Sequence, residues 1–319
     1  MRVSVLGCGR WGSFLAWYMH RLGNDVISFG PEDAPSYQVL KTTGANEYVT
    51  FPADIRVTCD LPQAVSHAEV LIVSISAQGL RGFLPKVVAC GLADKKMILC
   101  MKGLEEPSGK RLSEVAVACG VNRDNLAVWV GPGHIQDFVK GIPNCMVIDS
   151  YRPALTRFLA DAFRSDLIRF YYGNDIIGSE IGAATKNIMG IVAGMLDGFG
   201  YVSLKGPLMA RGAREVSRLI GALGGNEHSA FGLCHLGDYE TTLFSPHSHN
   251  RKWGELYARG EKFDRLAEGV PTASAVAKLA ARLGVDMPIT AAVDRMIRDA
   301  VPPLQVLSEL FEREPKKEF

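Results

Sequence analysis

The sequence predicts an α/β fold, with an N-terminal Rossmann-type doubly wound sheet followed by an all-helical C-terminal domain. Three observations carry that prediction. A short apolar strand, Val3-Ser4-Val5-Leu6, runs directly into Gly7-Cys8-Gly9-Arg10-Trp11-Gly12, a G-x-G-x-x-G run. Apolar strand patterns then alternate with amphipathic helical ones, the rhythm of a sheet covered by helices. Beyond about residue 174 only long helical patterns follow.

In the first of these units Gly7 lets the chain turn off the strand, Gly9 lets backbone approach a pyrophosphate, and Gly12 lets the next helix pack close to the sheet. Phe14, Leu15, Tyr18, Met19 and Leu22 recur at helical spacing, and Gly23-Asn24 supplies the stop. The first-turn amides and the helix dipole face bound phosphates. A second strand, Val26-Ile27-Ser28-Phe29, completes a dinucleotide-binding unit. The loop after it, Gly30-Pro31-Glu32-Asp33, places carboxylates where they accept from a ribose 2′-hydroxyl and repel a 2′-phosphate. NAD(H) is therefore the favoured cofactor; Arg10 and Lys41 leave NADP(H) possible.

Val70 to Ile75, Met97 to Met101, Leu126 to Val130 and Cys145 to Ile148 are continuous apolar runs, as parallel strands require when both faces are covered. Helices are expected at Gly79 to Cys90, Ser108 to Cys119 and Pro153 to Phe163. In the second half they are expected at Ile176 to Phe199, Pro207 to Leu223, Thr272 to Leu283 and Ile289 to Arg298. The boundary falls at residue 174, giving domains 1–174 and 175–319. Ligands bind beyond the carboxyl ends of such strands. Those ends carry Ser74-Ile75-Ser76, Lys102-Gly103 and Gly131-Pro132-Gly133, with the helical domain expected to close the other wall.

The chain's 319 residues are long for a single core, and 47% hydrophobic with 22% charged residues is ordinary for a globular enzyme. A net charge of +1 without a basic stripe argues against nucleic acid as a partner. No apolar run is long enough to span a bilayer, no signal-peptide pattern opens the chain, and Pro315 to Phe319 reads as a solvated end. The seven cysteines are scattered without a C-x-x-C pair, so they read as reduced, mostly buried thiols of a cytoplasmic protein. His235, His247 and His249 lack Cys or carboxylate partners at ligand spacing, so no metal site is expected. The Met- and Gly-rich stretch Ile188 to Met195 offers a surface for a second copy, making a homodimer possible.

Three places carry chemistry. Lys102 follows a buried strand, so its ammonium emerges at a carboxyl end, near a nicotinamide. Lys186 lies mid-helix among small and apolar residues, Gly182 to Gly190, with Asn187 beside it. Burial disfavours the charged amine and fits it to exchange a proton near neutrality. Asp238 follows Gly237 and is suited to orient a lysine, while Ser248-His249-Asn250-Arg251 offers polar donors for a phosphate, on what reads as a loop.

Gly7-x-Gly9-x-Trp11-Gly12, Met101-Lys102-Gly103-Leu104-Glu105, Gly131-Pro132, Ala184-Thr185-Lys186-Asn187, Arg211-Gly212, Gly237-Asp238, Ser248-x-Asn250-Arg251 and Glu268-Gly269-Val270 come in the order and approximate spacing of a known family. Over essentially its whole length the chain resembles the NAD(P)-dependent sn-glycerol-3-phosphate dehydrogenases. The resemblance implies hydride transfer between a nicotinamide and C2 of dihydroxyacetone phosphate, a small phosphorylated substrate. It implies Lys186 as general acid/base, Lys102 as a second lysine stabilising the developing alkoxide, and Asp238 as the residue holding the lysines. The implied cofactor-binding set is Gly7, Gly9, Arg10, Trp11, Gly12, Glu32, Ser74, Lys102, Ile135 and Glu268. The substrate would meet Lys102, Gly131, Gly133, Lys186, Asn187, Asp238, Thr242, Ser248, His249, Asn250 and Arg251.

The sequence departs from the family pattern at three points. His249 stands where an arginine normally grips phosphate, and a mostly uncharged imidazole does not replace an always-charged guanidinium fork. Arg251 or helix amides are the candidates to compensate. Gly133-His134-Ile135 replaces the family's Ser-Phe-Ala, and Arg10 replaces a small residue at the pyrophosphate. Two other readings stay open. The 6-phosphogluconate and β-hydroxyacid dehydrogenases share the architecture but set lysine and asparagine one helical turn apart, whereas Lys186 and Asn187 are adjacent. A nucleotide-binding redox sensor without turnover would also fit the altered positions.

Overall fold

The computed structural model describes residues 1–315 together with Lys317 and Glu318; Lys316 and Phe319, on which part of the expected solvated end falls, lie outside the described residues. The chain forms two compact units, one of Met1–Lys102 with Lys110–Glu180, the other of Gly103–Gly109 with the residues from Ile181 onward.

The first unit holds eight strands: β1 (Arg2–Leu6), β2 (Asp25–Phe29), β3 (Arg56–Thr58), β4 (Val70–Val73), β5 (Lys96–Leu99), β6 (Leu126–Val130), β7 (Asn144–Ser150) and β8 (Ile168–Tyr172). Seven helices accompany them, α1 (Arg10–Arg21), α2 (Pro35–Thr43), α3 (Leu61–His67), α4 (Leu80–Ala89), α5 (Leu112–Ala118), α6 (Ile135–Val139) and α7 (Pro153–Phe163). The sheet order is β3-β2-β1-β4-β5-β6-β7-β8. The expected strands form, with β4 and β5 ending two residues short of the apolar runs. One expectation is corrected: β7 pairs with β6 antiparallel, not parallel. Burial on both faces produces the same apolar run in either direction, so the pattern carries no information about polarity.

Alternate side chains of each strand enter opposite cores. Val3 and Val5 of β1 join Phe14, Leu15 and Tyr18 of α1 and Leu155, Leu159 and Phe163 of α7. Leu6 faces the other way, with Leu71 and Val73 of β4, into a core built from α3, α4 and α5. Helices thus cover both faces, as the apolar strand runs require.

The second unit continues from the helix α8 (Ile176–Gly198) through α9 (Lys205–Ala222), α10 (His249–Ala258), α11 (Gly269–Leu283), α12 (Pro288–Asp299) and α13 (Pro303–Phe311). The first turn of α8 belongs to the sheet unit because its polar groups are tied there. Ser179 Oγ donates to Asp149 at 2.8 Å, and Glu180 accepts from Arg111 Nη1 and from the Ser113 amide, each at 2.8 Å. Desolvation raises the pKa of both carboxyls, that of Asp149 to about 6.

Two further expectations are corrected. The stretch Ile188 to Met195 is buried throughout within its own unit, so it is not a surface for a partner. The cysteines are free thiols, but only Cys8, Cys100 and Cys234 are buried, while Cys59 is exposed. Among the described residues no helix is long and apolar enough to cross a membrane.

Candidate active site

The strand order reverses between β1 and β4, and their carboxyl ends carry Gly7 and Ser74. Gly7 has φ +117°, and a Cβ there would run into the backbone carbonyl of Ser74; a Cβ on Gly12 would run into the carbonyl of Gly7. Both glycines are therefore demanded by the protein itself. Gly9 differs, since nothing lies within 4 Å of where its Cβ would sit. Its missing side chain answers to no protein contact, and the space beside it is open. Gly9 also N-caps α1 without a side-chain cap, and no acidic residue occupies the first turn. The positive end of that helix is open to an anion.

The other predicted residues of this unit border the same sheet end. Arg10 opens α1 and is exposed, while Trp11 packs its ring 5.0 Å from Phe14 and 6.4 Å from Phe138. Glu32 is exposed in the turn beyond β2, and its backbone carbonyl accepts from Gln38 Nε2 at 2.5 Å. Lys102 Nζ donates to the Gly131 carbonyl at 2.7 Å, which holds the ammonium at the ends of β5 and β6. Gly131 itself has φ +122°. A Cβ on Gly133 would come 2.5 Å from the Phe138 ring, and Ile135 is buried as the first residue of α6.

In the second unit Lys186, on α8, is buried beside the fully buried Asp238. Its Nζ is 2.8 Å from Asp238 Oδ2 and donates to Thr242 Oγ1 at 2.8 Å. The ion pair offsets the desolvation that burial imposes on each charge. Asp238 ends a 3₁₀ turn, Leu236–Asp238, and a π-helical turn, Glu240–Phe244, follows. In that turn Thr242 Oγ1 donates to the Asp238 carbonyl at 2.7 Å, and the Thr241 hydroxyl donates to Asp238 Oδ1. Three predicted residues, Lys186, Asp238 and Thr242, are thereby in mutual contact. Asn250 donates to Asn187 Oδ1 at 3.0 Å and accepts from the Gly269 amide at 2.8 Å, joining α8, α10 and the start of α11. Glu268 N-caps α11, where its carbonyl accepts from Thr272.

The Ser248–Arg251 run is the start of α10, not a loop. Ser248 caps it by accepting from the Arg251 amide at 3.3 Å. Arg251, the candidate to compensate for His249, is engaged elsewhere: its Nε donates to Asp197 Oδ2 at 2.6 Å, and Lys205 shares that carboxylate at 2.7 Å. His249 donates through Nδ1 to the Leu266 carbonyl at 3.2 Å and lies edge-on to Phe263.

Sequence reasoning considered His235 only as a metal ligand, and it missed Tyr239. The imidazole is fully buried, donating through Nδ1 to the Gly182 carbonyl at 2.8 Å and accepting from the Tyr239 hydroxyl at 2.6 Å. Burial pushes its pKa down to about 4, so it is neutral at pH 7. The i, i+4 spacing of His235 and Tyr239 around Asp238 was the available signal. Among the described residues no cluster of His, Cys, Asp or Glu is placed to hold a metal ion.

Models for the N-terminus and C-terminus of NAD-dependent glycerol-3-phosphate dehydrogenase match residues 2–156 and 175–308. Over an alignment of 335 positions the chain is 36% identical to glycerol-3-phosphate dehydrogenase [NAD(P)+] of Chlorobium phaeobacteroides strain BS1, covering 100% of this chain and 99% of the relative. It is 35% identical to the Deinococcus radiodurans enzyme of the same name, covering 99% and 96%. The crystal structure of glycerol-3-phosphate dehydrogenase from Coxiella burnetii superposes with a TM-score of 0.88 at 25% identity, covering 98% of each chain.

Proposed function

Because the chain belongs to the NAD-dependent glycerol-3-phosphate dehydrogenase family, we propose that it reduces dihydroxyacetone phosphate to sn-glycerol 3-phosphate, with residues 1–174 binding the dinucleotide and 175–319 supplying the general acid. The observation that carries the reading is the buried Lys186–Asp238–Thr242 contact set, an amine held at a fixed position with its charge compensated.

The nicotinamide supplies the hydride when bound. Gly9 and the open N-terminus of α1 would take its pyrophosphate, and Arg10 and Trp11 would flank it. Lys186 Nζ would give a proton to the C2 oxygen as that oxygen becomes an alkoxide. Asp238 keeps the amine aimed and charged until then, and Thr242 fixes its second direction. Lys102, anchored on the Gly131 carbonyl, would lend positive charge to the same oxygen. Glu32, exposed after β2, supports a preference for NADH through the ribose hydroxyl. Asn187, Asn250, Ser248 and His249 are the proposed contacts for the rest of the substrate.

We further place the enzyme in the cytoplasm, which the free thiols support. We also propose a homodimer, for which the exposed Leu304 and Phe311 of α13 offer apolar surface; sedimentation equilibrium reads its mass. The test of function is oxidation of NADH and of NADPH on addition of dihydroxyacetone phosphate, with Lys186→Ala alongside. We expect turnover, a higher kcat/KM with NADH, and a loss of about 10²- to 10⁴-fold in kcat for the variant with NADH binding retained. NADH binding without turnover on any phosphorylated ketone would identify a sensor instead.

A further inference from the structure

One buried group has no part in the proposed chemistry and yet bonds to the two turns that carry the ion pair. His235 bonds through Nδ1 to the Gly182 carbonyl at 2.8 Å. In α8 that carbonyl is the acceptor for the amide four residues on, which is the amide of Lys186. Through its own backbone carbonyl His235 accepts from the Asp238 amide at 2.9 Å. One residue therefore grips the helical turn that carries the lysine and the 3₁₀ turn that carries the carboxylate.

The surroundings are shaped for this contact. A Cβ on Gly182 would come 3.1 Å from the His235 Cβ and 2.8 Å from Cys234 Sγ, so a side chain there would press on both. On the far side Tyr239 donates its hydroxyl to Nε2 at 2.6 Å. Gly212 of α9 makes room for that hydroxyl, which lies 3.0 Å from where a Cβ would be. Thr185 Oγ1 stands 3.3 Å from Nδ1 while donating to the Ile181 carbonyl at 2.7 Å. With Tyr239 as donor and Gly182 as acceptor, only the neutral Nδ1–H tautomer satisfies both nitrogens.

We propose that His235 is a positioning residue for hydride transfer, clamping the Lys186 turn of α8 to the Asp238 turn so that amine and carboxylate keep their separation during turnover. The proposal rests on the role assigned to Lys186 above. An apolar residue of similar size would fill the space and keep the backbone bond to Asp238, but it would lose the side-chain bond to the Gly182 carbonyl, so the two turns would no longer be tied together. Asparagine would restore an N–H near the position of Nδ1.

The experiment compares His235→Leu, His235→Asn, Tyr239→Phe and Lys186→Ala in the full chain, reading kcat, KM for both substrates, NADH affinity and thermal unfolding. For His235→Leu the expected result is a fall in kcat of about tenfold or more, roughly 1.4 kcal/mol per decade, with NADH affinity unchanged. His235→Asn should recover most of it. If His235→Leu lowers only the unfolding temperature and keeps kcat, or if His235→Asn is as impaired as His235→Leu, the clamp is overturned and the residue serves packing alone. Should His235→Leu not fold, Tyr239→Phe decides: a fall in kcat of about threefold or more supports the clamp and an unchanged kcat overturns it. Near-normal turnover in Lys186→Ala would instead remove the reading of the lysine, an outcome separate from the others.

Discussion

At residue scale the departures from the family pattern acquire physical content. Arg251 is part of an ion-pair group with Asp197, Lys205 and Glu255, and its charge serves mainly to compensate Asp197. Nothing in its geometry replaces a guanidinium at position 249. We expect His249→Arg to lower KM for dihydroxyacetone phosphate while leaving KM for NADH unchanged; an equal or higher KM would mean that another donor already grips the phosphate. The Gly133 change is tied to its neighbourhood. Phe138 stacks on Phe14 with ring centroids 5.0 Å apart and fills the space a side chain at position 133 would need. Arg10, by contrast, is exposed at the start of α1.

At the scale of elements, the glycines of α8 set how closely α10 approaches. A Cβ on Gly194 would come 1.8 Å from the Arg251 carbonyl oxygen and 2.8 Å from the Glu255 amide, and one on Gly190 3.2 Å from the Asn250 Cβ. Helix propensity alone favours alanine over glycine by about 1 kcal/mol. The backbone collision reverses that sign, so Gly194→Ala should destabilise by about 1–3 kcal/mol or more. Gly206, in the first turn of α9 with nothing within 4 Å, should tolerate alanine or gain from it. Denaturant unfolding of the two variants checks the contrast. Small residues around Lys186 were legible as a packing stripe, but not the identity of the partner helix. The strands β3 and β8 were illegible for a different reason. β3 has only three residues, and β8 is an edge whose Arg169, Tyr171 and Tyr172 face solvent, so neither shows the continuous apolar run of a doubly covered strand.

At the scale of the whole molecule, buried titratable groups make stability depend on pH in opposing directions. Glu215 is almost fully buried, accepting from the Ile289 and Thr290 amides at the start of α12, and desolvation pushes its pKa up to about 7; that of Asp149 rises to about 6. Each holds its proton more tightly folded than unfolded, so each contribution is greatest below the unfolded carboxylate range and is lost as pH rises through 6 to 7. His235 acts the other way. Its folded pKa of about 4 lies below the ordinary imidazole value of 6.5, so its contribution is full above about pH 6.5 and is lost as pH falls toward 4. The nearby Asp238 and Lys186 charges act on it in opposite senses. Replacing the imidazole with an amide that does not titrate, as in His235→Asn, should therefore cost less stability at pH 4.5 than at pH 7. The difference should approach about 2–3 kcal/mol, measured by urea unfolding at both pH values. An identical cost at the two pH values would mean that the ring is not held neutral.

The sequence by itself determined the class of fold and the glycine turn between β1 and α1, and it singled out Lys102, Lys186 and Asp238 as candidates for chemistry, because these depend on local period, on glycines at fixed offsets and on side-chain types that read without a partner. Tertiary structure alone decided the antiparallel entry of β7, the burial of the Ile188–Met195 stretch, the commitment of Arg251 to Asp197 and the placing of His235 between two turns. Each of those is a contact between residues far apart in the chain, and neither periodicity nor composition encodes which distant group a buried polar atom will find.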